Sequence, residues 1–218
     1  MNTSRGPLGA GPVDRTHFVL RRRSAVVQQV VDSCNPHTEA RSMMDVRLVT
    51  TGHDSNGKAV FSSDALLAPI TLAAMPGAEF HRLWGSDGPQ TYPDGGTPPG
   101  APAYFPEVGG FRFGLFTIPP EQESDYPEDM EAAMGEIETK LPGMMAHMEV
   151  DDPGMHTTDT TDFEIVLSGQ VILELDDGAE VTLSPGDTVV QNGTRHRWRN
   201  PGTEPAVMGV AIVGARRA

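Results

Sequence analysis

Three residues in the last third of the sequence could together hold a metal ion: His156, Asp162 and His196. Imidazole nitrogens and carboxylate oxygens are common ligands of divalent transition metals. Side chains alternate between the faces of an extended strand, so His156, Thr158 and Asp162 share one face if no bulge intervenes. This spacing predicts that the segment from His156 to Asp162 supplies half of the ligands of a metal site. His196 follows the turn residue Gly193 by three positions, which places a second imidazole at a strand start.

Other side chains near these positions could complete the site. Three of them could move protons or orient a substrate: Thr158, Gln191 and His147. Three more could line a substrate pocket: Met155, Phe163 and Trp198. A pocket with such a lining favours a small, partly apolar substrate. Each residue also has a plain structural interpretation, since a histidine in a polar strand is often only hydrogen bonded, and Asp162 could fix a backbone turn.

Short β-strands must position these residues. From Met155 onwards, alternating apolar and polar segments are separated by turns rich in Gly, Pro, Asn and Asp. We expect strands at residues 163–167, 171–175, 181–183, 188–191, 196–199 and 206–213. At least six short strands at this spacing predict a sandwich or barrel.

Upstream of residue 150, the pattern predicts an N-terminal β extension and one short helix. The expected elements are a hairpin at 46–61, strands at 79–84 and 111–118, a Pro/Gly loop at 85–109, and a helix after Tyr126–Asp129. In the helix, apolar residues recur at helical spacing: Met130, Met134, Ile137 and Leu141. This stripe favours packing over a cofactor face.

The composition and net charge of the chain disfavour some classes of binding partner. The chain has 218 residues and a formal net charge of −14, which disfavours nucleic acid or an anionic membrane as partner. No apolar run approaches the roughly 18–20 residues of a membrane helix. Cys34 is the only cysteine, so we expect no intrachain disulfide, no cysteine zinc site and a cytoplasmic location.

Residues 1–43 have no clear period and are rich in arginine. Three interpretations stay open: a disordered tail, a processed targeting segment, or an upstream start assigned in error, with translation beginning at Met43 or Met44. We therefore divide the chain into this segment, an extension at 44–149 and a core at 150–214.

The sequence resembles the cupin superfamily in two motifs within residues 150–214. The first family motif has two histidines separated by one residue and then a glutamate. A glycine follows the glutamate by seven positions. The matching residues are His156, Thr158, Asp162 and Gly169. The second motif has two glycines, a proline, a histidine and an asparagine. Here Gly186, Gly193, His196 and Asn200 match, with Gln191 or Asn192 in place of the proline.

The resemblance implies an all-β cupin double-stranded β-helix, a jelly-roll barrel, with an N-terminal β extension and one short helix. Thr158 replaces a ligand histidine and Asp162 shortens a ligand glutamate. The remaining set, His156, Asp162 and His196, resembles a two-histidine, one-carboxylate site for Fe, Mn, Zn or Ni. The segment from Asp45 onwards looks like uncharacterised bacterial single-domain cupins, which implies a homodimer.

Two functions of different class follow from this resemblance. The first is a metal-dependent enzyme, a lyase, oxidoreductase or isomerase of decarboxylase, dioxygenase, isomerase or cyclase type, that acts on a small oxygen-rich organic molecule. In that interpretation His156, Asp162 and His196 hold the ion. The second is a barrel that binds a small molecule without catalysis. Metal content discriminates between them.

Overall fold

The computed structural model describes residues 44–121 and 127–218, all within one compact unit that spans Arg41–Ala218. The interpretations of residues 1–43 lie outside this described part. The elements are β1 (Val46–His53), β2 (Ala59–Leu67), β3 (Ile70–Thr71), β4 (Glu79–Ser86), β5 (Phe111–Ile118), α1 (Met130–Lys140), β6 (Thr160–Ser168), β7 (Val171–Glu174), β8 (Glu180–Leu183), β9 (Thr188–Asn192), β10 (Arg197–Arg199) and β11 (Ala206–Gly214). The predicted all-β class is confirmed, with one α-helix among the described residues.

The strands form three antiparallel sheets. One has six strands in the order β3-β4-β5-β11-β6-β9, a second has the order β10-β7-β8, and β1 and β2 form a hairpin by themselves. The six-stranded sheet contains strands from both sides of residue 150. A boundary at 149/150 therefore does not separate two structural units, because β5 from the extension pairs with β11 along its whole length.

The register of the large sheet places polar side chains in rows across its inner face. One row runs Arg112, Ile212, Asp162, Gln191, and the next runs Gly114, Val210, Glu164, Val189. Since paired residues in an antiparallel sheet point to the same face, each row shares one environment. Asp162 and Glu164 are 5% and 6% exposed, which identifies this face as the interior.

The apolar core lies at the other end of the same inner face. Val166 on β6 and Met208 on β11 are both almost fully buried, and they pack with Val171, Leu173 and Leu183 from the small sheet. Burial of each such side chain stabilises the fold by about 1.5–3 kcal/mol. The two sheets thus pack against each other through apolar side chains at one end of the inner face, and the polar rows lie towards its other end.

Helix α1 packs against β4 of the large sheet. Asp129 begins it, because its carboxylate accepts a hydrogen bond of 2.9 Å from the backbone N–H of Ala132. Ile137 and Leu141 are buried against Phe80 of β4. The packing stripe is only partly as predicted, since Met130 and Met134 are 45% and 38% exposed.

Candidate functional site

The two histidines of the predicted site are direct neighbours. His156 and His196 form an isolated antiparallel bridge in which each backbone N–H donates to the other's carbonyl at 3.0 Å. Their ring centroids lie 4.1 Å apart, with 49° between the ring planes. Since directly paired residues of an antiparallel bridge point to the same side, this bridge holds both side chains on one face.

Hydrogen bonds orient both rings in the same way. Nδ1 of His156 lies 3.1 Å from the carbonyl oxygen of Gly154, and Nδ1 of His196 lies 2.9 Å from that of Thr194. A carbonyl oxygen only accepts, so each Nδ1 carries the hydrogen. In the neutral ring this leaves the lone pair on Nε2. Metal-binding histidines show the same arrangement, in which a hydrogen bond at one nitrogen fixes the other as ligand.

Burial keeps these rings neutral at physiological pH. It lowers the pKa of His196 to about 4, with a further contribution from His156 in the same direction. Burial also lowers the pKa of His156, partly opposed by the hydrogen bond to Gly154. Both imidazoles are therefore available as lone-pair donors and proton acceptors.

An ion-pair network on the outer face fixes the segment that carries His156. Arg195 binds Glu149 through two hydrogen bonds of 2.7 and 2.8 Å and Asp152 through one of 2.7 Å. Arg197 binds Asp152 at 2.9 Å and Glu174 at 2.7 and 2.8 Å. Because these arginines flank His196 in sequence, the network ties the loop before His156 to the strand that carries its partner.

Asp162 lies inside the barrel on β6 with its Cα opposite that of Gln191. Burial raises the pKa of its carboxyl to about 6, and a hydrogen bond from Thr160 opposes the shift. Thr160 in turn lies 2.7 Å from the hydroxyl of Thr158. Thr158, Thr160 and Asp162 thus form a buried polar chain. The amide of Gln191 donates to the carbonyl of Thr194 at 3.1 Å, next to His196.

Glu164 is a buried residue of the site that was not predicted from the sequence. This residue lies two positions after Asp162 on the inner face, and burial, followed by repulsion from Asp162, raises its pKa to about 8. Oδ1 of Asp162 and Oε2 of Glu164 have no hydrogen-bond partner within residues 44–121 and 127–218. The alternation that placed Asp162 inside the barrel predicts the same for Glu164, so the signal was present.

His147 lies at the rim of the site. Its Nδ1 lies 3.1 Å from the carbonyl oxygen of Thr157, and its ring meets that of Phe105 edge to face, with the ring centroids 4.7 Å apart. His147 and Thr160 both line a cleft of about 280 Å³. Through Thr160, the cleft touches one member of the polar chain.

The three predicted pocket-lining residues have different positions. Trp198 meets His196 edge to face at 6.2 Å and packs against the core. Met155 is 1% exposed. The expectation for Phe163 was wrong, because it alternates with the inward residues Asp162 and Glu164 and is 51% exposed on the outer face.

The residues fit a metal in part. His156 and His196 supply two oriented imidazoles, and Asp162 supplies a buried carboxyl whose Oδ1 has no partner in the described chain. Even so, residues 44–121 and 127–218 contain no group of three or more His, Cys, Asp or Glu side chains disposed to hold a metal ion. The observed arrangement is thus a two-imidazole half-site with the carboxylate set apart.

Residues 144–213 match the cupin domain family. This match covers the paired histidines, the polar chain and the strands around them, so the region that carries the site is similar to a cupin domain. The all-β jelly-roll class predicted for the chain agrees with this match. No helix among the described residues is long and apolar enough to cross a membrane.

Curated relatives come from fungi. Over 96 residues the chain is 31% identical to oryzines biosynthesis cluster protein J of Aspergillus oryzae, covering 42% of this chain and 54% of the relative. Over 46 residues it is 48% identical to phomopsin biosynthesis cluster protein C' of Diaporthe leptostromiformis, covering 21% and 24%. The chain thus spans about half the length of the Aspergillus relative and about a quarter of the length of the Diaporthe relative. The expected bacterial type is not confirmed.

Similar solved structures include a cupin 2 conserved barrel domain protein from Salinispora arenicola, with a TM-score of 0.36 and 18% identity over 68% of this chain and 88% of that one. Another is the cupin domain of an XRE family transcriptional regulator from Enterobacter cloacae. Its TM-score is 0.31 and its identity 18%, over 49% of this chain and 83% of that one.

Proposed function

We propose that this protein is a metal-dependent cupin enzyme that acts on a small, oxygen-rich organic molecule inside the barrel. The observation that carries the proposal is the pair His156 and His196, whose rings lie 4.1 Å apart. Both keep Nε2 free, because Nδ1 is committed to a backbone carbonyl. Such a pair is suited to bind one divalent ion, either Fe, Mn, Zn or Ni.

In this proposal Asp162 is the carboxylate ligand. Its buried Oδ1 has no partner within the described ranges, and an unpaired buried carboxyl is costly unless something binds it. An ion at this site would supply Lewis acidity, or oxygen binding if it is iron. Thr158 and Gln191 then orient groups around the ligands, and His147 moves protons between the cleft and the site.

Two findings support a small organic substrate. The cleft of about 280 Å³ is lined by Thr160 of the polar chain, and this volume suits a small molecule rather than a polymer. The curated relatives are named for the biosynthesis clusters of oryzines and phomopsin. We therefore place the reaction among lyase, oxidoreductase and isomerase steps on small biosynthetic molecules.

Metal analysis of the purified full-length protein tests this proposal. We expect about one ion per chain after loading with a single metal, and loss of most of it in His196→Ala. The matched control is His53→Ala, because His53 has the same contact between Nδ1 and a backbone carbonyl but lies in the β1–β2 hairpin. Less than about 0.2 ion per chain after loading would remove the metal-dependent enzyme and favour the non-catalytic small-molecule barrel.

We further propose that the protein is a homodimer through the outer face of the large sheet. On this face Phe163 is paired with Val190 on one side and, through Ala211, with Phe113 on the other. These three large side chains are 51%, 56% and 45% exposed. A contiguous apolar face of this kind marks an interaction surface, and a twofold axis would cover it with its own copy.

A further inference from the structure

We propose that Arg82 and Tyr104 bind a carboxylate group of the substrate in a small cavity that both residues line inside the barrel. This inference rests on the proposed function in one respect, since it places the substrate in the same barrel. It adds the chemical group that the substrate carries and the residues that recognise this group.

The cavity lies against the inner face of the large sheet. Arg82 of β4, Gly114 of β5 and Val210 of β11 form one cross-strand row of its wall. Tyr104, in the loop between β4 and β5, also lines it. The volume of about 30 Å³ has room for about two or three non-hydrogen atoms. Such a space takes one small group of a substrate and not the whole molecule.

The loop segment that carries Tyr104 borders a second space. Ala103 and Phe105, on either side of Tyr104 in sequence, line the cleft of about 280 Å³. The small cavity and the larger cleft therefore share this segment as a wall. A substrate that occupies the cleft has the cavity as its nearest polar pocket within the barrel.

Arg82 is a charged group without a counter-ion. Three of its five N–H groups donate to the carbonyl oxygens of Ala101, Pro102 and Ala103. The other two have no partner within residues 44–121 and 127–218, and Arg82 forms no ion pair with an Asp or Glu of these ranges. A partly buried guanidinium without a carboxylate partner is costly unless an anion binds it.

Arg112 also lines the cavity, but its charge is balanced. It forms an ion pair with Asp87 and donates to the carbonyl oxygens of Ala103 and Phe105. These hydrogen bonds fix the loop segment that carries the tyrosine. Arg112 is therefore a structural contact of the loop, and Arg82 is the guanidinium that remains for a ligand.

No acidic side chain of the described residues balances the charge of Arg82 from within the cavity. The cavity wall contains no Asp or Glu of residues 44–121 and 127–218. Asp162 and Glu164 lie on β6, two strands away from β5 and about 9–10 Å along the sheet. The cavity thus has one positive charge that an anionic group can neutralise.

The choice of anion follows from the donors and the volume. The Tyr104 hydroxyl has no hydrogen-bond partner within the described part of the chain, and burial raises the pKa of Tyr104 further above its ordinary value, so the hydroxyl keeps its proton and can donate. A carboxylate has two oxygens that only accept, and its three non-hydrogen atoms fit the space. Phosphate and sulfate groups are larger, and an ammonium group would be repelled by Arg82.

The test compares acetate with acetamide, which has the same shape without the charge, and with chloride, an anion that is not a carboxylate. Each is titrated into full-length, metal-free, ¹⁵N-labelled protein. NMR follows the side-chain Nε–H resonance of Arg82 and the backbone amides of Gly114 and Val210. We expect saturable shifts with acetate, and binding of acetamide and of chloride that is at least about tenfold weaker. An arginine that only holds the loop would show no such response at its Nε–H.

Two variants identify the binding residues. Arg82→Gln should weaken acetate at least about tenfold. Because this change also removes hydrogen bonds to the loop, Tyr104→Phe is the second variant. It removes one hydroxyl and keeps the ring against Phe80, and it should weaken acetate about three- to tenfold. The matched control is Arg47→Gln, since Arg47 is paired with Asp64 on the β1–β2 hairpin. It should bind acetate as wild type.

Acetamide or chloride that binds as tightly as acetate would overturn the inference, as would wild-type affinity for acetate in Arg82→Gln or Tyr104→Phe, or no acetate binding to the wild type. Metal loading is measured separately on the same preparations. Arg82-dependent binding of acetate by protein that takes up no metal would support this inference and reject the metal-dependent function. Normal metal loading without acetate binding would reject this inference alone.

Discussion

His156 and His196 exchange two backbone hydrogen bonds of 3.0 Å and hold their imidazole rings 4.1 Å apart. Forty positions separate them in sequence, so the contact depends on sheet pairing. Each ring has the same tautomer, set by a carbonyl two residues before it. The pair therefore presents two Nε2 lone pairs from one face of the barrel.

Arg195 should control the position of His156 without touching it. Glu149 accepts two hydrogen bonds from Arg195, and Glu149→Gln removes the negative charge of this ion pair. The weaker contact should loosen the loop that leads to His156. We expect metal affinity to fall roughly tenfold, as is usual when a group that orients a ligand is lost. Calorimetric titration measures this. A double-mutant cycle with Arg195→Lys should show coupling, and strictly additive effects would contradict the positioning role.

The free energy of unfolding of the metal-free protein should fall between pH 6.5 and 8. Burial raises the pKa of Glu164 to about 8, so in this window the folded protein binds more protons than the unfolded chain. Stability then falls as pH rises, by at most about 1.4 kcal/mol per pH unit. Below pH 6.5 the lowered pKa of His196 acts in the opposite direction. Urea unfolding across this range measures the slope, and an unchanged slope in Glu164→Gln would contradict the assignment.

Gly169 should tolerate no side chain. Its φ is +75°, and a Cβ there would lie 2.7 Å from the Cα of Ala206. We expect Gly169→Ala to lower the free energy of unfolding by about 2–4 kcal/mol, from overpacking and the left-handed conformation. Gly178 is the matched control, because its φ is +70° and nothing lies within 4 Å of the added Cβ. Its alanine variant should lose only about 1 kcal/mol. Equal losses in chemical denaturation would contradict the close approach.

Phe163→Asp should convert a dimer to a monomer. The side chain lies on the exposed apolar face, so a charge there would have to be desolvated in a dimer interface and not in a monomer. Light scattering after size exclusion gives the mass of each variant. Val181→Asp is the control, since Val181 is similarly exposed at 49% but belongs to the small sheet. A monomeric wild-type protein would reject the homodimer.

The sequence carried enough information for the strands and the helix, because turn residues and alternation are local signals. The predicted strand at 111–118 matches β5 residue for residue. What it could not supply is sheet order. The pairing of β5 with β11 joins residues about a hundred positions apart, and no local pattern predicts it.

The same distinction holds for the site. Alternation correctly placed Asp162 inside the barrel, and applying it to the next two residues would have placed Phe163 outside and Glu164 inside. The ion pairs of Arg195 and the hydrogen bonds of the histidine Nδ1 atoms to backbone carbonyls depend on loop conformation. Because tertiary contacts set the conformation of a loop, these ion pairs and hydrogen bonds could not be predicted from the sequence.

The most direct measurement of the central claim is ¹⁵N NMR of the histidine side chains during titration with Zn²⁺. We expect the Nε2 resonances of His156 and His196 to shift together and to saturate at one equivalent of zinc, while both Nδ1 atoms keep their hydrogens. Zinc that shifts neither Nε2, or that binds through other histidines only, would contradict a shared metal site at this pair.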